Sequence, residues 1–188
     1  MNTATGMVRI CAATETDIEK ILRLQERNLA RNLTAEQIAS QGFVTVVNTL
    51  DHLQRMNAAE PIVIAKSGDA VVGYAFPMPV EFGREVAALQ PFIEKFSEVA
   101  YNGKVLSDYR HAIMGQICIA EGFRGIGLFD KLYAQLKSQF KGRYDLIITE
   151  VDKANPRSLR AHLRIGHHIV HEYESHGAVW IITVLSVD

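Results

Sequence analysis

The sequence predicts a mixed α/β fold in which helices flank a mixed β sheet. Two apolar segments, at residues 62–65 and 71–76, are joined by Ser67-Gly68-Asp69, which is typical of an antiparallel hairpin. Apolar strands over 113–119 and 146–149 enclose a segment with helical periodicity, which indicates a strand, a crossover helix and a second strand. These two units require both antiparallel and parallel pairing in one sheet.

The N-terminal elements follow from spacing and capping. Residues 7–12 have the composition of a short strand, and the amphipathic pattern after them predicts a helix. Thr16 and Glu19 are three positions apart, as in a capping box. Residues 34–58 combine helical and strand signals, and we expect helices with a bend at Gly42.

The middle of the chain predicts two further helices. Pro77 and Pro79 are expected to end the hairpin. Apolar residues recur at helical spacing over 84–98, followed by a loop through Asn102-Gly103. The same periodicity predicts the crossover helix over 128–140.

The C-terminal segment predicts one helix and two strands. Asn155 before Pro156 is a favourable N-cap, and Gly166 stands where a helix ends, so we expect a helix over 156–165. Two strands, near 168–173 and 178–185, complete the sheet.

Composition bounds the class of protein. The chain has 188 residues, of which 48% are hydrophobic, and its formal net charge is −1. We predict one soluble domain over 1–188, with neither nucleic acid nor a membrane as a partner.

Cys11 and Cys118 lie far apart in apolar runs, which argues against a disulfide scaffold and favours a reducing cytoplasm. Met1–Gly6 lacks the features of a secretion signal, and no apolar run of about 18 residues could span a membrane.

A glycine-rich turn links the strand over 113–119 to the crossover helix. Its sequence after the strand is Ala120-Glu121-Gly122-Phe123-Arg124-Gly125-Ile126-Gly127-Leu128-Phe129. The N–H groups of such a turn can bind phosphate, although glycines also serve tight turns that bind nothing. A P-loop needs Gly-Lys-Ser/Thr at the helix start, and the dinucleotide motif needs a third glycine where Asp130 stands, so both motifs fail.

Two segments together resemble the GCN5-related N-acetyltransferase (GNAT) superfamily. Its acetyl-CoA signature, Arg/Gln-x-x-Gly-x-Gly/Ala, is matched from Arg124 to Phe129, with Phe129 at the final small position. Its second motif, Glu-Val-x-x-x-Asn-x-x-Ala-x-x-x-Tyr-x-x-x-Gly-Phe, keeps its spacing but changes three residues. The matching positions are Glu150-Val151, Asn155, Ser158, His162, Gly166 and His167.

The resemblance implies a mostly antiparallel seven-stranded sheet that is splayed between strands four and five, which end near Ile119 and Glu150. It also implies acetyl-CoA as cosubstrate, with the pantetheine arm in the gap between these strands. The Ile119 amide would bind the thioester carbonyl and stabilise the developing oxyanion. The amides from Gly125 to Phe129, including those of Ile126, Gly127 and Leu128, would hold the pyrophosphate. Cys118, Arg124, Asn155 and Ser158 complete the predicted cosubstrate-binding set.

The resemblance also assigns the proton transfers. Some members place a glutamate base on the fourth strand, where this chain has Gly115-Gln116. In members that acetylate N-terminal amines, the fifth-strand Glu is the base and the Tyr twelve positions later is the acid, which correspond to Glu150 and His162. The alternative to a catalytic role is that Glu150 only caps a loop and that His162 only packs in the fold. Cys118 is expected to be a core thiol rather than a nucleophile.

The implied activity is direct acetyl transfer from acetyl-CoA to a primary amine of a small molecule, peptide or protein, whose identity the sequence leaves open. An acyl-CoA-binding sensor or interaction module without efficient catalysis is the alternative. No metal is expected, because His167, His168 and His171 lie in one strand without a nearby Cys or paired carboxylate. The protein is expected to be a monomer or a homodimer.

Overall fold

The computed structural model of the protein describes residues 7–188. Met1–Gly6, on which the expectation of no secretion signal rests, lie outside the described residues. The seven strands of the main sheet are β1 (Val8–Ala12), β2 (Val63–Ser67), β3 (Ala70–Met78), β6 (His111–Ile119), β7 (Leu146–Asp152), β8 (His168–Ser175) and β9 (Ala178–Ser186); β4 (Ala100–Tyr101) and β5 (Lys104–Val105) form a separate hairpin.

The main sheet has the strand order β1-β2-β3-β6-β7-β9-β8. Only β6 and β7 pair in parallel, and the other neighbours are antiparallel. The prediction of a mixed, mostly antiparallel sheet of seven strands is therefore confirmed.

The sheet opens between β6 and β7, which are the fourth and fifth strands of its order. The two strands pair over only three positions, from His111 with Leu146 to Ile113 with Ile148. Beyond the ladder, the Thr149 hydroxyl still donates to the Met114 carbonyl over 3.1 Å. Since both strands continue past this point, their ends frame a gap in the sheet, as predicted.

Seven α-helices of the described residues flank the sheet. They are α1 (Glu15–Asn28), α2 (Ala35–Gln41), α3 (Leu50–Ala59), α4 (Val80–Glu85), α5 (Gln90–Glu94), α6 (Leu128–Phe140) and α7 (Pro156–Arg164). Among the helices of residues 7–188, none is long and apolar enough to cross a membrane.

The core has one layer on each face of the sheet. Ile18 of α1 and Leu53 of α3 pack on the face that includes Ile64, while Leu132 of α6 packs on the face that includes Ala65. Adjacent strand residues thus point to opposite layers. All five are fully buried, and burying each of the leucine and isoleucine side chains contributes about 1.5–3 kcal/mol.

Capping chemistry corrects two predictions in the N-terminal third. Thr14, rather than Thr16, caps α1, and its amide donates to Asp17 Oδ2 over 3.1 Å. Gly42 does not bend a continuous helix. It ends α2 with a φ of 74°, and an extended segment, residues 43–49, follows before α3.

The predicted helix over 84–98 is wrong. This region contains part of α4, then α5 and two short 3₁₀ segments. Pro91 lies in the first turn of α5, and its ring has no N–H and clashes with a preceding helical turn. Asn102-Gly103 is not an open loop but the turn of the β4–β5 hairpin, with both φ angles positive. β3 also continues through Pro77, where a register shift accommodates the missing donor.

Candidate active site

The turn before α6 presents backbone N–H groups to an open cleft. Gly125 and Gly127 have left-handed φ angles of 77° and 79°, and apart from their own chain neighbours no described residue comes within 4 Å of a Cβ built on either. Lys131 is the first residue of α6 whose N–H donates back to the turn, to the Gly127 carbonyl over 3.2 Å. The N–H groups before it lack intrahelical acceptors and stand at the positive end of the helix dipole, so they can bind an anion.

The cleft in front of this turn has a volume of about 600 Å³, which is within the range of cofactor sites. Residues 41–44 form one wall and α7 forms another. Arg157 and Arg160, both exposed on α7, line the cleft. Phosphate groups of a ligand would therefore meet positive charge as well as backbone donors.

Arg124 links the turn to the rest of the site. Its guanidinium donates to the Ile119 carbonyl over 2.9 Å, to Asn28 Oδ1 over 2.6 Å and to Gln41 Oε1 over 2.5 Å. Partial burial lowers the pKa of Arg124, which nevertheless stays charged. Several donors of Arg124 are used within the protein, so this residue positions the cleft walls and adds positive charge to the cleft. The backbone amides of the turn have no such partners among the described residues and are therefore more available to bind an anion.

The end of β6 directs one amide into the gap. Ala120 N–H donates to the Val72 carbonyl of β3, and N–H groups alternate along a strand, so Ile119 N–H points away from β3 towards the gap. The side chain of Cys118 lies in the core, and burial raises the pKa of its thiol to about 12. A thiol in this state is protonated at neutral pH and is a poor nucleophile.

Nearly all of the predicted cosubstrate-binding residues line the cleft. The set comprises Cys118, Ile119, Arg124, Gly125, Gly127, Leu128, Phe129, Asn155 and Ser158. Ile126 is the exception, since it is 49% exposed and does not line the cleft. The Phe129 ring rests against His162 and Tyr133, with centroid distances of 5.1 Å to each.

Asn155 and Ser158 stand where the cleft meets a smaller chamber of about 70 Å³. Asn155 Oδ1 accepts the Ser158 N–H over 3.2 Å and caps α7, as predicted, while Asn155 Nδ2 donates to the Phe43 carbonyl over 2.9 Å. Both residues line both cavities, as do Phe43, Val44 and Ile117. The chamber is therefore the inner extension of the cleft.

Glu150 lines this chamber, just beyond the point where β6 and β7 separate. The Tyr173 hydroxyl donates to Glu150 Oε2 over 2.5 Å. Burial raises the pKa of Glu150 to about 7, although the bond from Tyr173 favours the charged form and opposes part of the rise. A carboxyl group with this pKa exchanges its proton near neutral pH, as a general base must.

His162 lies in α7 behind the chamber and is only 2% exposed. The Ser158 carbonyl, 2.8 Å from Nδ1, can only accept, so Nδ1 carries the proton. Burial lowers the pKa of His162 to about 4, so the ring is neutral at pH 7. Nε2 is then an acceptor, and it has no partner among the described residues. In this state the ring has no Nε2 proton for a leaving group.

Several site residues escaped the sequence analysis. Tyr173 and Trp180 come close to β7 only because β7, β9 and β8 are neighbours in the sheet, and Asp152 follows Glu150 by two residues on β7 itself. Gln116, which the sequence already places where some family members have the fourth-strand base, accepts from the Tyr74 hydroxyl over 2.6 Å and donates to the Val46 carbonyl. No group of three or more His, Cys, Asp or Glu side chains within residues 7–188 is placed to hold a metal.

The geometry fits acetyl-CoA. The cleft supplies free amides and arginines for phosphates, Ile119 lines this cleft at the end of β6, and Glu150 lines the connected chamber between β6 and β7. Across the two connected cavities, the arrangement can bind an anionic ligand, offer a hydrogen bond to a carbonyl oxygen and accept a proton.

Comparison with protein-family models gives one match. The acetyltransferase (GNAT) family model matches residues 27–167, which is about three quarters of the chain. The match includes α2 and α3 as well as both motif segments, and it stops before β8 and β9. No curated protein matches the sequence.

Solved structures share the fold at low sequence identity. The yncA protein from Salmonella typhimurium, solved with its cofactor acetyl-CoA, aligns with a TM-score of 0.63 and 13% identity, covering 96% of this chain and 94% of that one. The ribosomal-protein-S18-alanine N-acetyltransferase from Escherichia coli gives the same four values. Ard1 from Thermoplasma volcanium aligns with a TM-score of 0.63 and 15% identity, covering 95% and 97%.

Proposed function

Because this chain belongs to the acetyltransferase (GNAT) family, we propose that it moves an acetyl group directly from acetyl-CoA to a primary amine of a small molecule, peptide or protein. The observation that carries the proposal is the position of Glu150, a half-buried carboxyl group in the chamber that extends the cleft, where burial raises its pKa to about 7. The yncA protein and the S18-alanine N-acetyltransferase, which share the fold, support acetyl-CoA as cosubstrate and an amine as acceptor. We place the reaction in the cytoplasm, catalysed by a monomer or homodimer.

The cosubstrate would be held along the cleft. The turn amides of Gly125 to Phe129 would bind the pyrophosphate, and Arg160 is exposed beside them for a further phosphate oxygen. Acetyl-CoA supplies a thioester, whose carbonyl carbon the amine attacks. The N–H of Ile119 is directed to stabilise the negative charge that develops on the carbonyl oxygen.

Glu150 deprotonates the acceptor amine in this proposal. An alkylamine with a pKa of about 10.4 is almost wholly protonated at neutral pH and cannot attack in that form. Deprotonated Glu150 accepts a proton from the ammonium group, directly or through water. A bond forms between nitrogen and the acetyl carbon, the carbon–sulfur bond breaks with its electron pair on sulfur, and the thiolate takes a proton from solvent.

His162 has a supporting role in this proposal. Its neutral ring packs edge-on against both Phe129 and Tyr133 and lines the chamber. The assignment of His162 as the acid would require an imidazolium, which burial disfavours. We therefore propose that His162 positions Phe129 and α7.

The test is the pH dependence of CoA release in the presence of a panel of primary amines. We expect wild-type kcat/KM to rise with pH through a group with a pKa of about 7, and Glu150→Gln to lower kcat by about two orders of magnitude while acetyl-CoA affinity stays within about twofold. Glu172→Gln is the matched control, because Glu172 is exposed on β8 and pairs with Lys153.

Two outcomes would contradict the proposal. Wild-type turnover by Glu150→Gln would remove Glu150 from the role of base. Tight acetyl-CoA binding without CoA release for any amine would instead support the alternative function, an acyl-CoA-binding sensor or interaction module.

A further inference from the structure

The two connected cavities have opposite charge. Four arginines line the cleft against a single carboxylate, Asp130. Among the described residues that line the chamber, Glu150 and Asp152 are acidic and none is Lys or Arg. The cleft thus suits an anionic ligand, and the chamber suits a cationic one.

Glu150 and Asp152 are spaced along one edge of the gap. They lie two positions apart on β7, so both point to the same face, while Val151 between them is buried on the other. Two residues along a strand span about 6.6 Å. Asp152 Oδ1 accepts the Ala154 N–H over 2.8 Å, and Asp152 forms no ion pair within the described chain.

An aromatic wall adjoins Asp152. Trp180 on β9 is directly opposite Asp152 in the antiparallel ladder, so both side chains project from the same face, and Trp180 lines the chamber. Trp180 Nε1 donates to the Ser175 carbonyl over 3.3 Å, which fixes the ring. Tyr173 pairs with Trp180 from β8 and reaches Glu150. Aromatic rings beside a carboxylate are a favourable environment for an ammonium group.

The rest of the described chamber lining is uncharged, and the chamber is narrow. His162 lines it, is only 2% exposed and has a neutral ring at pH 7. The chamber of about 70 Å³ is small, so a narrow, unbranched chain fits it better than a ring.

We propose that the acceptor is a short alkyl diamine, in which one nitrogen reacts beside Glu150 and a second cationic nitrogen, three or four carbons away, lies between Asp152 and Trp180. The two residues are about 6.6 Å apart along β7, which is close to the separation of the two nitrogens in such a chain. This inference rests on the proposed function, because that function supplies the reaction at the first nitrogen. Asp152 and Trp180 then determine the preference for a diamine over a monoamine.

The test uses the fluorescence of Trp180, the only tryptophan of the chain. The CoA-saturated protein is titrated with 1,4-diaminobutane and with butylamine, and calorimetry measures the same binding. Wild-type protein is expected to bind the diamine at least tenfold more tightly than butylamine. Asp152→Asn is expected to lose most of that preference while its affinity for butylamine changes less than twofold. Glu172→Gln, which alters a carboxylate on the opposite face of the sheet, is expected to behave as wild type.

The outcomes separate the inference from the proposed function. Equal affinity of wild-type protein for the two amines, or a diamine preference that survives in Asp152→Asn, overturns the inference. Acetylation of both amines with equal kcat/KM also overturns it and leaves the acetyltransferase function intact. Selective, Asp152-dependent binding of the diamine without CoA release supports the inference about the chamber and contradicts the proposed catalysis.

Discussion

Replacement of Glu150 by glutamine is expected to stabilise the protein at alkaline pH. The pKa of this carboxyl group is about 7 in the folded protein, against an ordinary value of 4.5. The folded state therefore binds the proton more tightly than the unfolded state, and stability falls as pH rises from about 4.5 to about 7. Below pH 4.5 the raised pKa does not reduce the free energy of unfolding, and above about pH 7 the reduction is complete.

The size of the effect follows from the two pKa values. A difference of about 2.5 between the folded and unfolded pKa corresponds to about 3 kcal/mol at 1.36 kcal/mol per pKa unit. Between pH 5 and pH 8.5, wild-type protein should lose about 2.5 kcal/mol more stability than Glu150→Gln, because all other titrating groups are common to both. For a chain of this length, that difference corresponds to about 5–10 °C in melting temperature.

Urea unfolding of wild type, Glu150→Gln and Glu172→Gln at both pH values measures this difference. At pH 5 the first two proteins should differ by no more than about 1 kcal/mol, because glutamine resembles a protonated glutamate. At pH 8.5 Glu150→Gln should be the more stable, and Glu172→Gln should follow wild type. Equal differences at the two pH values would refute the reasoning, since Glu150 would then have an ordinary pKa.

Four other results are expected. Gly127→Val should weaken acetyl-CoA binding more than tenfold in calorimetry, whereas Gly142→Val, which imposes the same left-handed strain after α6, should leave affinity unchanged; equal losses would exclude a specific role of the turn. Tyr173→Phe should move the acid limb of kcat/KM to higher pH, because the variant loses the hydrogen bond that favours the charged form of Glu150 in the wild type. An acid limb that stays at the same pH would contradict this contact. His162→Gln should leave the pH profile between 6 and 8 unaltered, and loss of a limb would restore an acid role for His162. Peptide mapping after treatment of native protein with iodoacetamide at pH 8 should find Cys118 unmodified, and rapid labelling would contradict the burial of its thiol.

Local signals in the sequence were sufficient for the elements that position the cleft. Asn155 before Pro156 predicts the start of α7, and the glycine turn predicts the free amides before α6, because capping and positive φ angles depend on a few neighbouring residues. The same reasoning placed the cap of α1 two residues too late, since Thr14 with Asp17 competes with Thr16 and Glu19 as a capping pair.

The chamber could not be predicted in the same way. Its composition depends on β7 pairing with β9 rather than with β8, and strand order is set by packing between distant segments. One part was accessible: His176-Gly177 is a two-residue turn with positive φ angles, which fixes Tyr173 opposite Trp180. The position of this pair beside Glu150 and Asp152 required the structure.

The pKa values of Glu150 and His162 depend on burial, which sequence spacing does not give. A glutamate within a strand has an ordinary pKa when exposed, and only its place in the gap raises that value. His162 follows the same logic with the opposite sign, and this is why the acid role expected from the family motif does not suit the neutral ring.

Incubation of the protein with acetyl-CoA labelled with ¹³C in both acetyl carbons, followed by mass spectrometry of the amine acceptor, tests the central claim most directly. The account predicts an N-acetylated amine that retains both labelled carbons, one CoA released for each product, and a rate about two orders of magnitude lower in Glu150→Gln. Saturating acetyl-CoA binding with no labelled amine, or equal product from wild type and Glu150→Gln, would contradict it.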